Sequence, residues 1–305
     1  MVHTFDNKVD FYITNVCNHT CEHCNRFNNH HFTGWQRWSD YADIYTEWGR
    51  RVRLKSAVIM GGEPTLNPTL ADWIRGLATI FEVDVQTLTN GTRLLEARGL
   101  YDALRFKSPN ANMSNHIGIS IHNMNDFDEI RYNVLNFLQG PTQEWGRIYG
   151  RKPPSEWFPN YDADYSAYDS NGVLINAWIS NDFSESAIVK TPEGKFALHN
   201  NNEIETAMAF NSCAFARYRS YHFIRGKLYR CAPAALMPEF DQQYRFDLSD
   251  ADREMLYSYQ PLGIDNYDSY AEQFFKTIDD PIPQCKFCSP HPETKKIFPI
   301  RKGQG

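Results

Sequence analysis

The sequence predicts an α/β fold whose parallel strands are joined by helical crossovers, with a smaller module of different character behind it. Two observations carry that prediction. Short runs rich in β-branched and aromatic residues recur at 9–16, 56–62, 82–90, 116–123 and 173–180, with helix-like stretches between them. From about residue 205 no repeats of that length follow, and four of the seven cysteines lie beyond that point. The predicted domains are therefore 1–204 and 205–305.

Taken in order, VDFYITNV forms the first strand and ends immediately before Cys17. The helix after it carries Ala42, Tyr45, Gly49 and Val52 on one face. The basic run RRVRLK at 50–55 reads as the C-terminus of that helix, with docking of an acidic partner as the alternative. SAVIMGG is the second strand; Asn67-Pro68 then opens a helix, because a capping side chain precedes a proline at the first helical position, and Leu70, Ile74, Leu77 and Phe81 line its apolar face. EVDVQTLTN and HIGISIHN supply the third and fourth strands, and Phe127, Ile130, Val134 and Leu138 repeat along the helix behind the fourth. The segment 140–172 is too long for an ordinary connection and is rich in Tyr, Trp and Pro, so it reads as a lid or an aromatic-pinned surface insertion. Asp162, Asp164 and Asp169 within it solvate that loop or, alternatively, meet amines and sugar hydroxyls.

Composition narrows the function. Lys and Arg total 31 against 37 Asp and Glu in 305 residues, which gives no broad electrostatic footprint for nucleic acid. The N-terminus lacks the pattern of a secretion signal and no apolar run approaches the roughly 20 residues that span a bilayer. The expectation is a cytoplasmic protein without nucleic-acid or membrane partners. In that reducing compartment seven clustered cysteines point to metal or redox chemistry rather than structural disulfides.

Cys17, Cys21 and Cys24 form a C-x3-C-x2-C set directly after the first strand. Three thiolates on a 4Fe-4S cluster leave one iron open to a small molecule. A zinc site completed by His19, His23 or His30, and three unrelated thiols, are the alternatives. The spacing resembles that of the radical S-adenosylmethionine (SAM) superfamily, whose open iron chelates the amino and carboxylate groups of SAM. MGGEP at 60–64 strengthens the resemblance, since the superfamily uses such a stretch after the second strand to meet the methionine amino group. Gly61 and Gly62 would let backbone approach ligand, and Glu63 would supply a charge opposite to the ammonium.

The resemblance implies a partial (β/α)6 TIM-like barrel, in which chemistry gathers at the C-terminal ends of the strands. Cys17, Gly61 to Pro64, Thr89-Asn90-Gly91, and Ser120 with His122 would then share one rim. It further implies SAM contacts from Asn90, Ser120 and Arg131. Their plain alternatives are a turn at Asn90-Gly91, a solvated strand end and an exposed helix residue. The position before Cys24, usually aromatic in the superfamily, is His23 here. His122 reads as a structural histidine or a substrate contact.

Cys213, Cys231, Cys285 and Cys288 remain, with SYHFIRGKLYRC reading as a hairpin that turns at Arg225-Gly226. Four cysteines fit one fully ligated 4Fe-4S cluster or one structural zinc. With Gly226 between them the arrangement resembles the Twitch module, a truncated SPASM domain that holds an auxiliary 4Fe-4S cluster in a small α+β fold. The pattern is similar to that of 2-deoxy-scyllo-inosamine dehydrogenase.

These resemblances imply a radical SAM oxidoreductase. SAM would be cleaved to a 5'-deoxyadenosyl radical, a substrate hydrogen abstracted, and a two-electron oxidation completed with the auxiliary cluster. Three and four account for all seven thiols, leaving none as a hydrogen-atom donor. The expected substrate is a small polar molecule of the amino sugar or cyclitol type, the expected reductant a flavodoxin or ferredoxin. Because the first strand begins by about residue 9, an N-terminal peptide-recognition domain is not expected. A peptide-modifying radical SAM enzyme, and a non-catalytic iron-sulfur or zinc-binding protein, are the alternatives.

Overall fold

A computed structural model describes residues 2–30, 32–108, 114–139, 142–147, 163–180, 182–291 and 294–296. Most of the 140–172 segment, Asp162 included, lies outside the described residues.

In chain order the first half contains β1 (His3–Tyr12), α1 (Trp38–Arg51), β2 (Val52–Met60), α2 (Leu70–Phe81), β3 (Val85–Thr89), α3 (Leu100–Arg105), β4 (His116–Ile121) and α4 (Phe127–Phe137). Then follow β5 (Thr142–Arg147), β6 (Tyr165–Asp169), β7 (Leu174–Ile179), and the short strands β8 (Asp182–Ser184), β9 (Ile188–Lys190) and β10 (Phe196–Leu198). The C-terminal part contains α5 (Glu203–Ser212), α6 (Ala214–Arg217), β11 (Tyr221–Ile224), β12 (Lys227–Tyr229), α7 (Ala232–Tyr244), α8 (Asp250–Tyr257), α9 (Tyr267–Lys276) and β13 (Thr294–Lys296).

Nine strands form one sheet in the order β12-β11-β1-β2-β3-β4-β7-β6-β5. From β11 through β7 every neighbouring pair is parallel, whereas β12, β6 and β5 are antiparallel additions at the edges. This mixed α/β fold with a largely parallel sheet fits a partial barrel. The first strand starts six residues before the apolar run that predicts it: His3 to Phe5 pair with Val52 to Leu54, and an irregularity between Phe5 and Lys8 separates that stretch from the rest. The hairpin at 221–229 crosses the expected boundary, because β11 pairs with β1 in the main sheet.

Alternation along the strands divides the core. Val9, Phe11 and Ile13 of β1 and the residue after it join the larger cluster with Tyr45 and Trp48 of α1 and with Trp73, Ile74, Leu77 and Phe81 of α2. Burial of each such side chain stabilises the fold by about 1.5–3 kcal/mol. A second cluster gathers Tyr12, Phe27, Ile224 and the apolar face of α7 around Phe240. The in-between positions of the strands, Asp10, Gln86, His116, Asn176 and His222, are buried and polar. One face of the sheet thus packs against the helices, and the other combines these buried polar residues with the second apolar cluster.

The basic run at 50–55 closes α1. Arg51 donates to Glu47 at 2.6 Å and lies 5.3 Å from the centre of the Tyr267 ring, while Arg53 donates to Gly49 O at 2.7 Å. Among the described residues no helix is long and apolar enough to cross a membrane.

Candidate active site

The loop after β1 carries the first three cysteines and is pinned on both sides. Asn28 Nδ2 donates to Tyr12 Oη at 2.8 Å and to Asn15 O at 2.9 Å, and Gln36 N donates to Ile13 O at 2.8 Å. Tight turns bring Cys24 N to Cys21 O at 3.3 Å and Phe27 N to Cys24 O at 3.0 Å. His23 and Phe27 hold left-handed φ values of 61° and 59°, a strained conformation for side chains of their size. Phe27 is held there by burial against Phe240, and His23 Nδ1 accepts from Ser186 N at 3.4 Å. His19 N donates to Cys17 Sγ at 3.4 Å.

Gly61 and Gly62 are required by the chain itself. A Cβ on Gly62 would stand 2.1 Å from Val16 O and 3.0 Å from the Cys17 Cβ; on Gly61 it would stand 2.5 Å from Thr14 O. The glycines let the end of β2 press against the cysteine loop, where Gly62 N donates to Thr14 O at 2.8 Å and Glu63 N to Val16 O at 2.7 Å. Glu63 is buried. Its Oε1 accepts from Thr65 N (3.0 Å), Thr65 Oγ1 (2.6 Å) and Thr89 Oγ1 (2.5 Å), and its Oε2 accepts from Asn90 N (2.7 Å). Burial pushes this carboxyl up, and those donors pull it back only in part. Glu63 ties the end of β2 to the end of β3.

Asn90 extends the same network. Its Oδ1 accepts from Thr92 N and Thr92 Oγ1, forming the expected turn with Gly91 at φ 77°, while its Nδ2 donates to Asn18 Oδ1 at 2.8 Å. Asn18 Nδ2 returns to Thr92 Oγ1 at 2.8 Å. The ends of β1, β2 and β3 are therefore locked together by amides and one carboxylate. Around them lies a cavity of about 230 Å³ whose lining includes Cys17, Cys21, Cys24, Gly61, Gly62, Glu63, Asn90, Ser120 and His122. All four strand ends expected to share one rim do so.

Residues 11–146 match the family model of the Radical SAM superfamily. This segment is a radical SAM domain. Members of the superfamily are enzymes that use a 4Fe-4S cluster and SAM. The matched segment is a little under half of the chain and contains the three cysteines and the Gly61–Glu63 stretch. No curated protein matches the chain. Among the solved structures that match is native anSMEcpe with bound AdoMet and Cp18Cys peptide, at 16% identity and a TM-score of 0.31 over 45% of this chain and 40% of that one.

The residues of the radical SAM domain fit a cluster held by three thiolates. Of the histidines that zinc would need, His23 is turned to Ser186 and His30 packs against Phe196 and Phe240 in the second core; only His19 joins the cysteines in the cavity lining. Zinc also needs its ligands converged to about 2.3 Å of one point. Among the described residues no group of three or more His, Cys, Asp or Glu is disposed to hold a single metal ion.

Arg131 stays away from the site. The face of α4 that packs inward carries Ile130, Val134 and Phe137, and Arg131, one residue on, is exposed and outside the cavity lining. The α4 residue that supports the rim is Asn133, whose Nδ2 donates to Gly91 O and Thr92 O at 3.2 Å each. Sequence reading also passes over Arg26. It lines the cavity from the cysteine loop and its guanidinium reaches Asp10, His222 and Met60 Sδ. The signal for it, an arginine two residues after the third cysteine, acquires meaning only once β11 is placed beside β1.

The other four cysteines also come together. Cys213 sits between α5 and α6, Cys231 is the N-cap residue of α7, Cys285 lies within the turn Pro283–Phe287 and Cys288 directly follows it. Cys288 feels the charges of Cys231, Cys285 and Cys213, and Cys231 those of Cys213 and Cys285. Burial pushes the thiols of Cys231, Cys285 and Cys288 up, so only a bound cation would hold them as thiolates. As donor types four thiols suit a fully ligated 4Fe-4S cluster or zinc, but here too the described residues do not converge on a single metal ion. Asn201 Nδ2 donates to Cys288 O at 2.7 Å, and Arg230 anchors the neighbouring loop through Asp280 O at 2.6 Å and Thr277 Oγ1 at 2.7 Å.

Proposed function

We propose that the chain is a radical SAM oxidoreductase that carries out a two-electron oxidation of a small polar alcohol of the amino sugar or cyclitol type, with a second 4Fe-4S cluster on Cys213, Cys231, Cys285 and Cys288. One observation carries the reading: Cys17, Cys21 and Cys24 line the same cavity as Gly61, Gly62, Glu63, Asn90 and Ser120. Bound there, a 4Fe-4S cluster and SAM supply reductive SAM cleavage and abstraction of hydrogen from a substrate carbon.

The chain's own residues orient and enclose the reactants. Glu63 and Asn90 fix the rim against which SAM is held; Ser120 and Asn90 offer polar groups to it. Asn25, Arg26, His122 and Ser180 place polar groups in a wall that also carries Met60, Leu88 and Phe183, and the hydroxyls of such a substrate would use them. Oxidation rather than redox-neutral chemistry is supported by the thiols: all seven are in the two cysteine sets, so none is left to return a hydrogen atom. The reductant we propose is a flavodoxin or ferredoxin.

The test is anaerobic incubation of the reconstituted protein with SAM, a reductant and a pooled extract of its host. The reading predicts about eight irons per chain, 5'-deoxyadenosine, and a compound that loses two hydrogens. Zinc in place of iron, or deuterium returned from solvent to substrate carbon without net oxidation, contradicts it.

A further inference from the structure

We propose that His122 is the catalytic base that takes the hydroxyl proton when the substrate alcohol is oxidised. The inference rests on the oxidative reading above and gives that reading a destination for the proton.

His122 follows β4 and lines the cavity next to Ser120. Its Nδ1 lies 2.7 Å from Ser180 O. A backbone carbonyl only accepts, so Nδ1 carries the ring hydrogen. Burial holds the imidazole below its ordinary pKa, while the Ser180 carbonyl and Asp126 pull in the other direction. A neutral ring protonated at Nδ1 has its lone pair at Nε2. Among the described residues the ring's hydrogen bond is the one at Nδ1, which leaves Nε2 for the cavity. The ring is walled by Phe183, with centroids 5.1 Å apart, and by His19 at 6.4 Å. Asp126 acts on the His122 ring and lies 3.8 Å from His19 Nε2, and the same cavity is lined by Arg26, Glu63 and the three cysteines.

The step balances with three acceptors. Oxidising a secondary alcohol to a ketone removes a hydrogen atom from carbon, one electron, and the hydroxyl proton, as the C–O single bond becomes C=O. SAM, with one electron from the reductant, takes the hydrogen atom and leaves as methionine and 5'-deoxyadenosine. An iron-sulfur acceptor takes the electron. His122 Nε2 takes the proton, and the resulting imidazolium faces Asp126 until it releases that proton to solvent.

Two measurements test the proposal. Diethyl pyrocarbonate acylates unprotonated imidazole nitrogens, and with the reconstituted, SAM-free protein it is expected to modify His122 with a pH midpoint below that of an ordinary histidine. An unmodified His122 while exposed histidines react overturns the proposal. In the second, His122→Asn keeps a donor toward Ser180 O but cannot take a proton. With the compound that loses two hydrogens in the extract experiment, the oxidised product formed per 5'-deoxyadenosine is expected to fall by about a hundredfold or more, with recovery on adding imidazole. A product ratio within twofold of the unaltered protein overturns the base and leaves the oxidoreductase reading standing. Failure of the unaltered protein to cleave SAM removes that reading instead.

Discussion

Asp10 on β1 and His222 on β11 face each other in register, with Asp10 Oδ2 3.0 Å from His222 Nε2. Both are buried, and the same carboxylate accepts from Ser220 Oγ at 3.0 Å and lies 3.6 Å from Arg26 of the cysteine loop. Burial alone would raise the Asp10 carboxyl; His222, Arg26 and Ser220 together bring it below the usual carboxylate range. One carboxylate thus joins the first strand, the first three-cysteine loop and the C-terminal hairpin. Replacing Asp10→Asn leaves Arg26 without its buried counter-charge and is expected to cost about 3–5 kcal/mol in urea denaturation. A loss under about 1 kcal/mol would show that the cluster contributes little to holding these three segments together.

The close approach at Gly62 gives a sharper prediction. A Gly62→Ala side chain has no space between Val16 O and the Cys17 Cβ, so the cysteine loop must shift. The iron content is expected to drop from about eight to about four per chain, with loss of SAM cleavage. Gly194→Ala is the control, since its φ of 80° is strained but nothing lies within 4 Å of the added Cβ. Equal iron in both variants would refute the packing argument.

His116 sets a pH dependence. Burial, aided by the charge of Lys8, lowers it from its ordinary 6.5 to about 4, against the opposing pull of Ser114 O. Its folded value is depressed, so between those limits the unfolded chain binds the extra proton. Its contribution is complete above pH 6.5, is lost progressively as pH falls, and levels off below about pH 4. The full difference is worth about 3 kcal/mol, and His116→Gln should flatten the decline in stability between pH 7 and 5 relative to the unaltered protein. Parallel declines in the two proteins would place the pH dependence elsewhere.

How much of this was legible follows from the range of each interaction. On α2, Leu70, Ile74, Leu77 and Phe81 are all buried as their spacing predicts, because an amphipathic helix writes its packing face into a local period. The same reading of α1 finds Tyr45 but passes over Trp48, whose Nε1 donates to Gly226 O at 2.9 Å across the hairpin. Cys17, Gly61, Gly62, Glu63, Asn90 and Ser120 were legible because each lies at or within a few residues of the C-terminal end of a parallel strand. Arg26, Asn133 and the Asp10–His222 pair were not, since their partners are fixed only by strand order and register. Arg131 misled because one residue along a helix turns a side chain by about 100° from its neighbour.

The second cysteine set separates cluster assembly from oxidation. In Cys231→Ser the set loses one thiolate while the cavity at the strand ends is untouched. The variant is expected to keep about four irons and to form 5'-deoxyadenosine, but to give little oxidised product. Unchanged product would assign the second centre a structural role only.

The most direct test of the central claim is electron paramagnetic resonance of the anaerobically reconstituted, reduced protein before and after SAM. A cluster held by Cys17, Cys21 and Cys24 has one iron free to take the amino and carboxylate groups of SAM, so its signal should change on SAM addition and be absent in Cys17→Ala. A signal indifferent to SAM, or a zinc-containing protein without one, would contradict the account.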